Sequence, residues 1–367
     1  MVKITLPDGT EQKHPKGVTG TQVAEGIGAG LAKAALAIKV NGEIRDLFLP
    51  IEEDATIEII TSKTEDGKKV LWHSSAHILA EATLELFPGT KLAIGPPIAE
   101  GFYYDMDPPQ PFTQEDLEKI EERMREIIKR DEKPEKFFIT EKEARSKYKD
   151  NPYKIDIIDK MEKTKEEEKS GKISFYRQGR FEDMCRGPHM SRTGNAADVK
   201  LYKLSGAYWR GDSNNPMLQR IYGITFTDKK EVKAWVKRRE EAEKRNHMKI
   251  GAAMDLYSMQ KEAPGSIFFH PRGTVIYNLL VEFLRKEQTK RGYVEINTPL
   301  ILNKSLWLQS GHWDHYKENM YFTEIDEQAF AVKPMNCPCG ILVYKQGRYT
   351  YKDLPLRLAD FGTVHRL

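Results

Sequence analysis

The sequence predicts a multidomain α+β protein, and three observations carry that expectation. The chain has 367 residues, against roughly 100–200 for a typical domain, which suggests two or three domains. Residues 1 to about 61 read as strands of alternating polarity around a helix, and a polar stretch follows them. Beyond it, helical periods and strand-like runs succeed one another, so three regions are expected.

In the first region, Val2-Lys3-Ile4-Thr5-Leu6 alternates and Pro7-Asp8-Gly9 marks a turn before a second, polar strand. An Ala-rich helix is expected from Gly20 to Ala37, with Val23, Ile27, Leu31 and Ala35 apolar. Ile38-Lys39-Val40 and Asn41-Gly42 then predict a hairpin. Thr61 to Lys69 is polar and reads as a linker.

The second region opens with a helix from about Val70 to Phe87. Thr113 and Asp116 have capping-box spacing ahead of a helix with Leu117, Ile120, Met124 and Ile127 on one side. The charged tract from Lys160 to Lys172 reads as a surface helix or loop. From Ile173 the chain is strand-like, with breaks at Gly179 and at Gly187-Pro188. Asp228 to Lys249 predicts a helix rich in Lys and Arg, either a solvated linker or a stripe facing nucleic acid. A third region begins near Ile250, with an amphipathic helix at about Thr274 to Arg291 and a strand containing Tyr293, Glu295 and Ile296.

Composition narrows the class. Hydrophobic content of 39% and charged content of 31% describe a soluble globular chain. No stretch approaches the roughly 18 apolar residues of a membrane span, and the start, Met1-Val-Lys-Ile, has no secretory-signal pattern. Three cysteines do not make a disulfide framework, so a cytoplasmic location is expected. A net charge of +3 means that nucleic-acid contact must come from local basic clusters.

The chemistry concentrates in two pairs. His73 and His77 are spaced i, i+4, as are Cys185 and His189. On a helix such a pair points to one face, although Gly187-Pro188 makes a loop equally compatible for the second pair. Three imidazoles and a thiol suit a zinc tetrahedron. They equally suit an acid/base site, because imidazole titrates near neutral pH. Either way the constellation points to a hydrolase. A second feature, Lys333-Pro334-Met335-Asn336-Cys337-Pro338-Cys339-Gly340, is not a zinc ribbon, but Cys337 is compatible with a single thiolate ligand or a free thiol. A third, Phe361-Gly362-Thr363-Val364-His365-Arg366, ends on an arginine, whose planar fork suits phosphate and carboxylate recognition.

These residues, in this order, resemble the threonyl-tRNA synthetase family of class II aminoacyl-tRNA synthetases along the whole chain. Residues 1–61 resemble its TGS module, a ubiquitin-like β-grasp domain. His73-Ser74-Ser75-Ala76-His77 and Cys185-Arg186-Gly187-Pro188-His189, with Gly206-Ala207-Tyr208-Trp209-Arg210-Gly211-Asp212 and Gln219-Arg220-Ile221-Tyr222-Gly223, resemble its α+β editing domain. Gly292-Tyr293 to Pro299 matches class II motif 1, which the resemblance places at a dimer interface, and Phe361 to Arg366 resembles the first half of motif 2. The implied domains are 1–61 TGS, 62–226 editing, 227–249 a linker helix, and 250–367 part of a class II antiparallel-sheet catalytic domain.

The resemblance implies an ATP-dependent threonine-tRNA ligase with hydrolytic editing of seryl-tRNA(Thr). It implies tRNA(Thr), threonine and ATP as substrates, Mg2+ and Zn2+ as cofactors, and a homodimer for the complete enzyme. Cys337 is then the zinc ligand, and Met335 and Arg366 lie at the ATP and amino-acid site. His73, His77, Cys185 and His189 line the editing pocket with Asp183 and Lys154 beside them, and the family implies that this pocket works without zinc. Cys339-Gly340 departs from the family's usual Gly-His after Cys-Pro. The two zinc histidines, the rest of motif 2, motif 3 and the anticodon-binding domain are expected after Leu367, so this chain alone is not expected to charge tRNA. Three other readings stay open at this point: a free-standing seryl-tRNA deacylase, a TGS-containing regulatory protein, and a generic zinc hydrolase.

Overall fold

The computed structural model describes residues 1–161, 167 and 171–366, and the chain divides into two compact units, Met1–Ala242 and Glu243–Leu367. The first unit begins with β1 (Val2–Thr5), β2 (Glu11–His14), β3 (Val18–Thr19), α1 (Gly20–Ile27), α2 (Ala29–Ala34), β4 (Ala35–Val40), β5 (Glu43–Arg45), β6 (Pro50–Ile51) and β7 (Ala55–Thr61). Their main sheet has the order β2-β1-β7-β4-β5, with β1 and β7 parallel through Ile4 opposite Ala55. Asn41 and Gly42 both have positive φ, 50° and 87°, as a tight β4–β5 hairpin requires.

The helix expected over Gly20–Ala37 is two short helices broken at Gly28, and Ala35, Leu36 and Ala37 belong to β4. Those three side chains are almost completely buried. Pairing with β7 outweighs the helix propensity of alanine, because propensity differences are well under 1 kcal/mol per residue.

Next come α3 (Glu65–Leu86), β8 (Lys91–Leu92), β9 (Pro97–Ile98), β10 (Gly101–Asp107), α4 (Gln114–Arg130), β11 (Glu135–Thr140), α5 (Glu141–Lys147), α6 (Pro152–Lys160), β12 (Lys172–Gln178), β13 (Phe181–Met184), β14 (Asp198–Tyr208) and β15 (Met217–Phe226). The supposed linker Thr61–Lys69 is half helix: Thr64 accepts a hydrogen bond from the Gly67 N–H and starts α3 at Glu65. The Thr113–Asp116 capping box forms, and Leu117, Ile120, Met124 and Ile127 are buried beneath α4. Most of the Lys160–Lys172 tract lies outside the described residues.

Strands β14-β15-β10-β8 make one sheet, with β9 on β10, and β11-β12-β13 make a second. Helix α3 is the centre of the core: Leu71, Ile78, Leu79 and Ala82 pack with Phe102 and Met106 of β10 and Ile221 of β15. The same apolar cluster contains Leu36, Ala37 and Ile60 of the N-terminal module. Fully burying the Leu, Ile, Phe and Met side chains among them contributes about 1.5–3 kcal/mol each, so α3 is held firmly where it carries its histidines.

The remaining elements are α7 (Lys229–Lys244), α8 (His247–Ala253), β16 (Tyr257–Met259), β17 (Ile267–Phe269), α9 (Pro271–Lys290), β18 (Val294–Ile296), β19 (Ile301–Asn303), α10 (Lys304–Gln309), α11 (His312–His315), β20 (Phe322–Ile325), β21 (Gln328–Val332), α12 (Cys337–Gln346) and β22 (Leu358–Asp360). The helix expected over 228–249 stops at Lys244 and restarts at His247, where Asn246 accepts from the Met248 N–H and caps α8. In the second unit β19-β21-β20 and β16-β17 are antiparallel, whereas β18 and β22 pair in parallel. The sequence predicts part of an antiparallel-sheet domain here; the β18–β22 pair departs from it, because the long connection between the two strands brings β22 back in the same direction.

Candidate active site

Helix α3 sets His73 and His77 one turn apart, with ring centroids 5.4 Å from each other. The Cys185–His189 segment reaches them as a loop after β13 and not as a helix, with Gly187 at φ +75° and the Gly187–Pro188 peptide cis. Ser74 anchors this loop to α3: its hydroxyl donates to the Val70 carbonyl and accepts from the Met190 N–H at 2.9 Å.

All four ligating atoms lie within 4.8 Å of one another. The Cys185 sulfur is 2.9 Å from His73 Nε2 and 3.2 Å from His189 Nε2, and it accepts the Gly187 N–H. The His189 ring is 4.3 Å from that of His77 and 4.6 Å from that of His73. Thus the two pairs do converge.

Lys154, near the start of α6, and Asp183 of β13 adjoin the cluster. Lys154 Nζ lies 2.6 Å from one Asp183 oxygen and donates to the other at 2.8 Å. The Tyr104 and Tyr148 hydroxyls donate to the same carboxylate at 2.7 and 2.8 Å. The sequence motifs do not single out Tyr104 or Tyr148. Tyr104 carries a partial signal, its place on the buried side of β10 between Phe102 and Met106; Tyr148 carries none.

Burial sets the protonation states. It pushes His73 down to about 4 and His77 to about 3, with the Asp183 carboxylate opposing weakly in both. His189 is driven well below its ordinary value by burial and by its neighbouring histidines. Burial pushes the Cys185 thiol up to about 12. Burial alone would raise Asp183 as well, but the Lys154 ammonium and the hydrogen bonds to its oxygens hold it below the usual carboxylate range. At neutral pH the site therefore holds three neutral imidazoles and a thiol beside one buried ion pair.

A cavity of about 310 Å³ opens on His73, His77, Cys185, Lys154 and Asp183, and Ile94, Gly95, Pro96, Pro97 and Met184 wall it. A larger cavity, about 980 Å³, lies beside β5 and the 186–188 loop and is lined by none of the histidines. The smaller one faces the chemistry. Neutral imidazoles can accept a proton from water, and the Lys154 ammonium can donate to an oxyanion. The donor types also suit zinc.

In the second unit, Arg366 donates to the Pro334 carbonyl at 3.0 Å and the His365 N–H donates to the Lys333 carbonyl. The structure thus joins Arg366 to the segment containing Met335 and Cys337. Cys337 is exposed at the start of α12, beside a hollow of about 640 Å³ that Asn336, Gly340 and Tyr344 also line. Among the described residues, the group able to hold a metal is the one in the first unit. Catalytic zinc needs three protein ligands, and Cys337 supplies one, so the residues present do not form a zinc site there.

Two family models match: "TGS domain" over residues 2–61 and "Threonyl and Alanyl tRNA synthetase second additional domain" over residues 173–222. The chain is 53% identical over 365 residues to a threonine–tRNA ligase from Caldanaerobacter subterraneus subsp. tengcongensis, covering 99% of this chain and 56% of that protein. It is 51% identical to one from Acetivibrio thermocellus, over 100% of this chain and 57% of that protein. Hence the chain spans about half the length of the curated relatives it matches. A solved structure, the RNA binding domain of threonyl-tRNA synthetase from Cryptosporidium parvum Iowa II, is similar at 40% identity with a TM-score of 0.32, over 33% of this chain and 30% of that one.

Proposed function

We propose, from the premise that this chain belongs to the threonyl-tRNA synthetase family, that its first unit hydrolyses the seryl ester of mischarged tRNA(Thr) and that the chain serves threonine–tRNA ligase activity. The observation that carries the hydrolytic reading is the convergence of His73, His77, Cys185 and His189 beside Lys154–Asp183 on one small cavity.

The chemistry follows from discrimination. Serine lacks one methyl of threonine, a difference worth roughly 1–3 kcal/mol in a binding pocket, which is too little for translation. A second site that destroys the seryl ester supplies the rest. Water enters the cavity and is oriented by His73, whose neutral ring accepts its proton as the oxygen attacks the ester carbonyl. Lys154 is committed to Asp183 as an ion pair, so its role is donation: it stabilises the developing oxyanion. The carbon–oxygen bond to the tRNA ribose then breaks, and the proton passes to the leaving oxygen. Pro96, Pro97 and Ile94 are stiff walls that favour the smaller serine side chain.

In this reading ATP, threonine and Mg2+ belong to the second unit with Met335 and Arg366. Cys337 is the one residue of this unit that the family reading offers to zinc, and no step here runs through that metal. Homodimerisation is supported by α9, on which Val275, Ile276, Tyr277, Leu279, Leu280, Phe283 and Leu284 are all exposed, since large apolar patches mark contact surfaces. A cytoplasmic location accords with three free cysteines among the described residues.

His73→Ala tests the assignment. Seryl-tRNA(Thr) hydrolysis is expected to vanish with the fold retained, and unchanged hydrolysis would remove the proposal. A stand-alone deacylase is distinguished by supplying the chain to a full-length ligase whose own editing site is disabled: clearance of seryl-tRNA in trans would favour it.

A further inference from the structure

We infer that Asp46 of the N-terminal module is a positioning residue for the hydrolytic site, so that the site is assembled by two domains. This rests on the function proposed above. Asp46 follows β5 and is 2% exposed. One carboxylate oxygen accepts the His189 main-chain N–H at 2.7 Å and the other accepts the Tyr176 hydroxyl at 2.7 Å. The His189 partner lies 143 residues away in the chain.

Both bonds act on the loop that carries Cys185 and His189. The Tyr176 ring lies 4.3 Å from the His189 imidazole, and its hydroxyl sits directly under Gly187, where a Cβ would come within 2.0 Å of it. Asp46 therefore holds His189 twice: through its backbone, and through the phenol packed on its ring. His189 in turn is 3.2 Å from the Cys185 sulfur, which is 2.9 Å from His73. The chain of contact from the module to the water-orienting imidazole is continuous.

The module is rigid enough for this role, because Leu36, Ala37 and Ile60 share one apolar core with Val70 and Leu71 of α3. Burial raises Asp46 above the ordinary carboxylate range, and the anchor lies in its geometry: each oxygen accepts one donor, so a single buried side chain ties the loop amide and the phenol together. Small errors matter here: a displacement of about 1 Å at a reacting group can lower a rate about 100-fold.

The experiment uses the full 367-residue chain and measures seryl-tRNA(Thr) hydrolysis with KM and kcat separated, alongside thermal unfolding. Asp46→Ala is expected to lower kcat about 10- to 100-fold with KM nearly unchanged. Asp46→Asn, whose amide oxygen still accepts from His189 and whose NH2 can meet the Tyr176 oxygen, is expected to restore most of kcat. Should Asp46→Ala not fold, Tyr176→Phe removes one of the two bonds alone and is expected to lower kcat in the same sense. Wild-type kcat in the folded Asp46→Ala variant, or in Tyr176→Phe where the alanine variant is unfolded, overturns the inference. So does a loss that the asparagine variant does not relieve. His73→Ala is run in parallel: if it still hydrolyses the ester, the function itself is wrong, and if it does not, a wild-type kcat on disturbing Asp46 counts against the positioning role alone.

Discussion

Lys154 and Asp183 meet at 2.6 Å with side chains only 4% and 3% exposed. A buried pair costs several kcal/mol of desolvation per ion and is retained because each charge answers the other. Lys154→Met leaves the carboxylate with two phenols and no cation, so it is expected to destabilise the fold by about 3–5 kcal/mol and to abolish ester hydrolysis. Urea unfolding and a seryl-tRNA assay check both, and a loss of activity without any loss of stability would contradict the account of the pair.

The pH dependence has a definite sign. Because burial holds His73 near 4 and His77 near 3, hydrolysis is expected to stay level as pH falls from 8 through 6 and to decline only on approach to 4. A midpoint near the ordinary histidine value of about 6.5 would show that the rings are not desolvated as the structure has them.

Stability follows linkage. An unfolded histidine takes up its proton near 6.5, whereas these rings in the fold do not. Their contribution is complete above 6.5 and is lost as pH falls towards 4. Glu81 has the opposite sign: burial raises it to about 7, so its contribution is present below its unfolded value and is lost as pH rises to 7. In Glu81→Gln that opposing trend is removed, and unfolding midpoints between pH 4 and 7 should climb more steeply with pH than in the parent.

Gly95 lies against the Tyr104 ring, where an added Cβ would come within 2.3 Å. Gly95→Ala must push that ring aside and disturb its 2.7 Å bond to Asp183. Overpacking of this kind costs about 1–3 kcal/mol. Slower hydrolysis with a modest fall in thermal midpoint is expected; full activity would mean that Tyr104 does not position Asp183.

Chelation separates the two chemistries that the cluster's donors allow. Seryl-ester hydrolysis is expected to survive prolonged EDTA treatment, with Cys185 acting as a neutral thiol. Loss of activity that added zinc restores would instead make the site a zinc hydrolase.

Self-association should depend on α9. Leu280→Lys places a charge among its exposed apolar side chains and is expected to shift the chain from dimer to monomer in sedimentation. A parent chain that sediments as a monomer, or a Leu280→Lys chain that sediments unchanged, would overturn the proposed dimer contact.

The sequence alone determined what is local. His73 and His77 share a helical face because four residues span about one turn, and the Thr113–Asp116 cap needs only its own three-residue spacing. Segments whose state depends on partners were less legible: Ala35–Ala37 looks helical yet pairs with β7, and Thr61–Lys69 looks like a linker yet starts α3. Tertiary structure alone decided that Cys185 meets His73 across 112 residues and that Tyr104 and Tyr148 flank Asp183. It also decided that Asp46 reaches His189. Such contacts are fixed by how α3, β13 and the N-terminal module pack on a common core, and periodicity along the chain carries no record of distances across it.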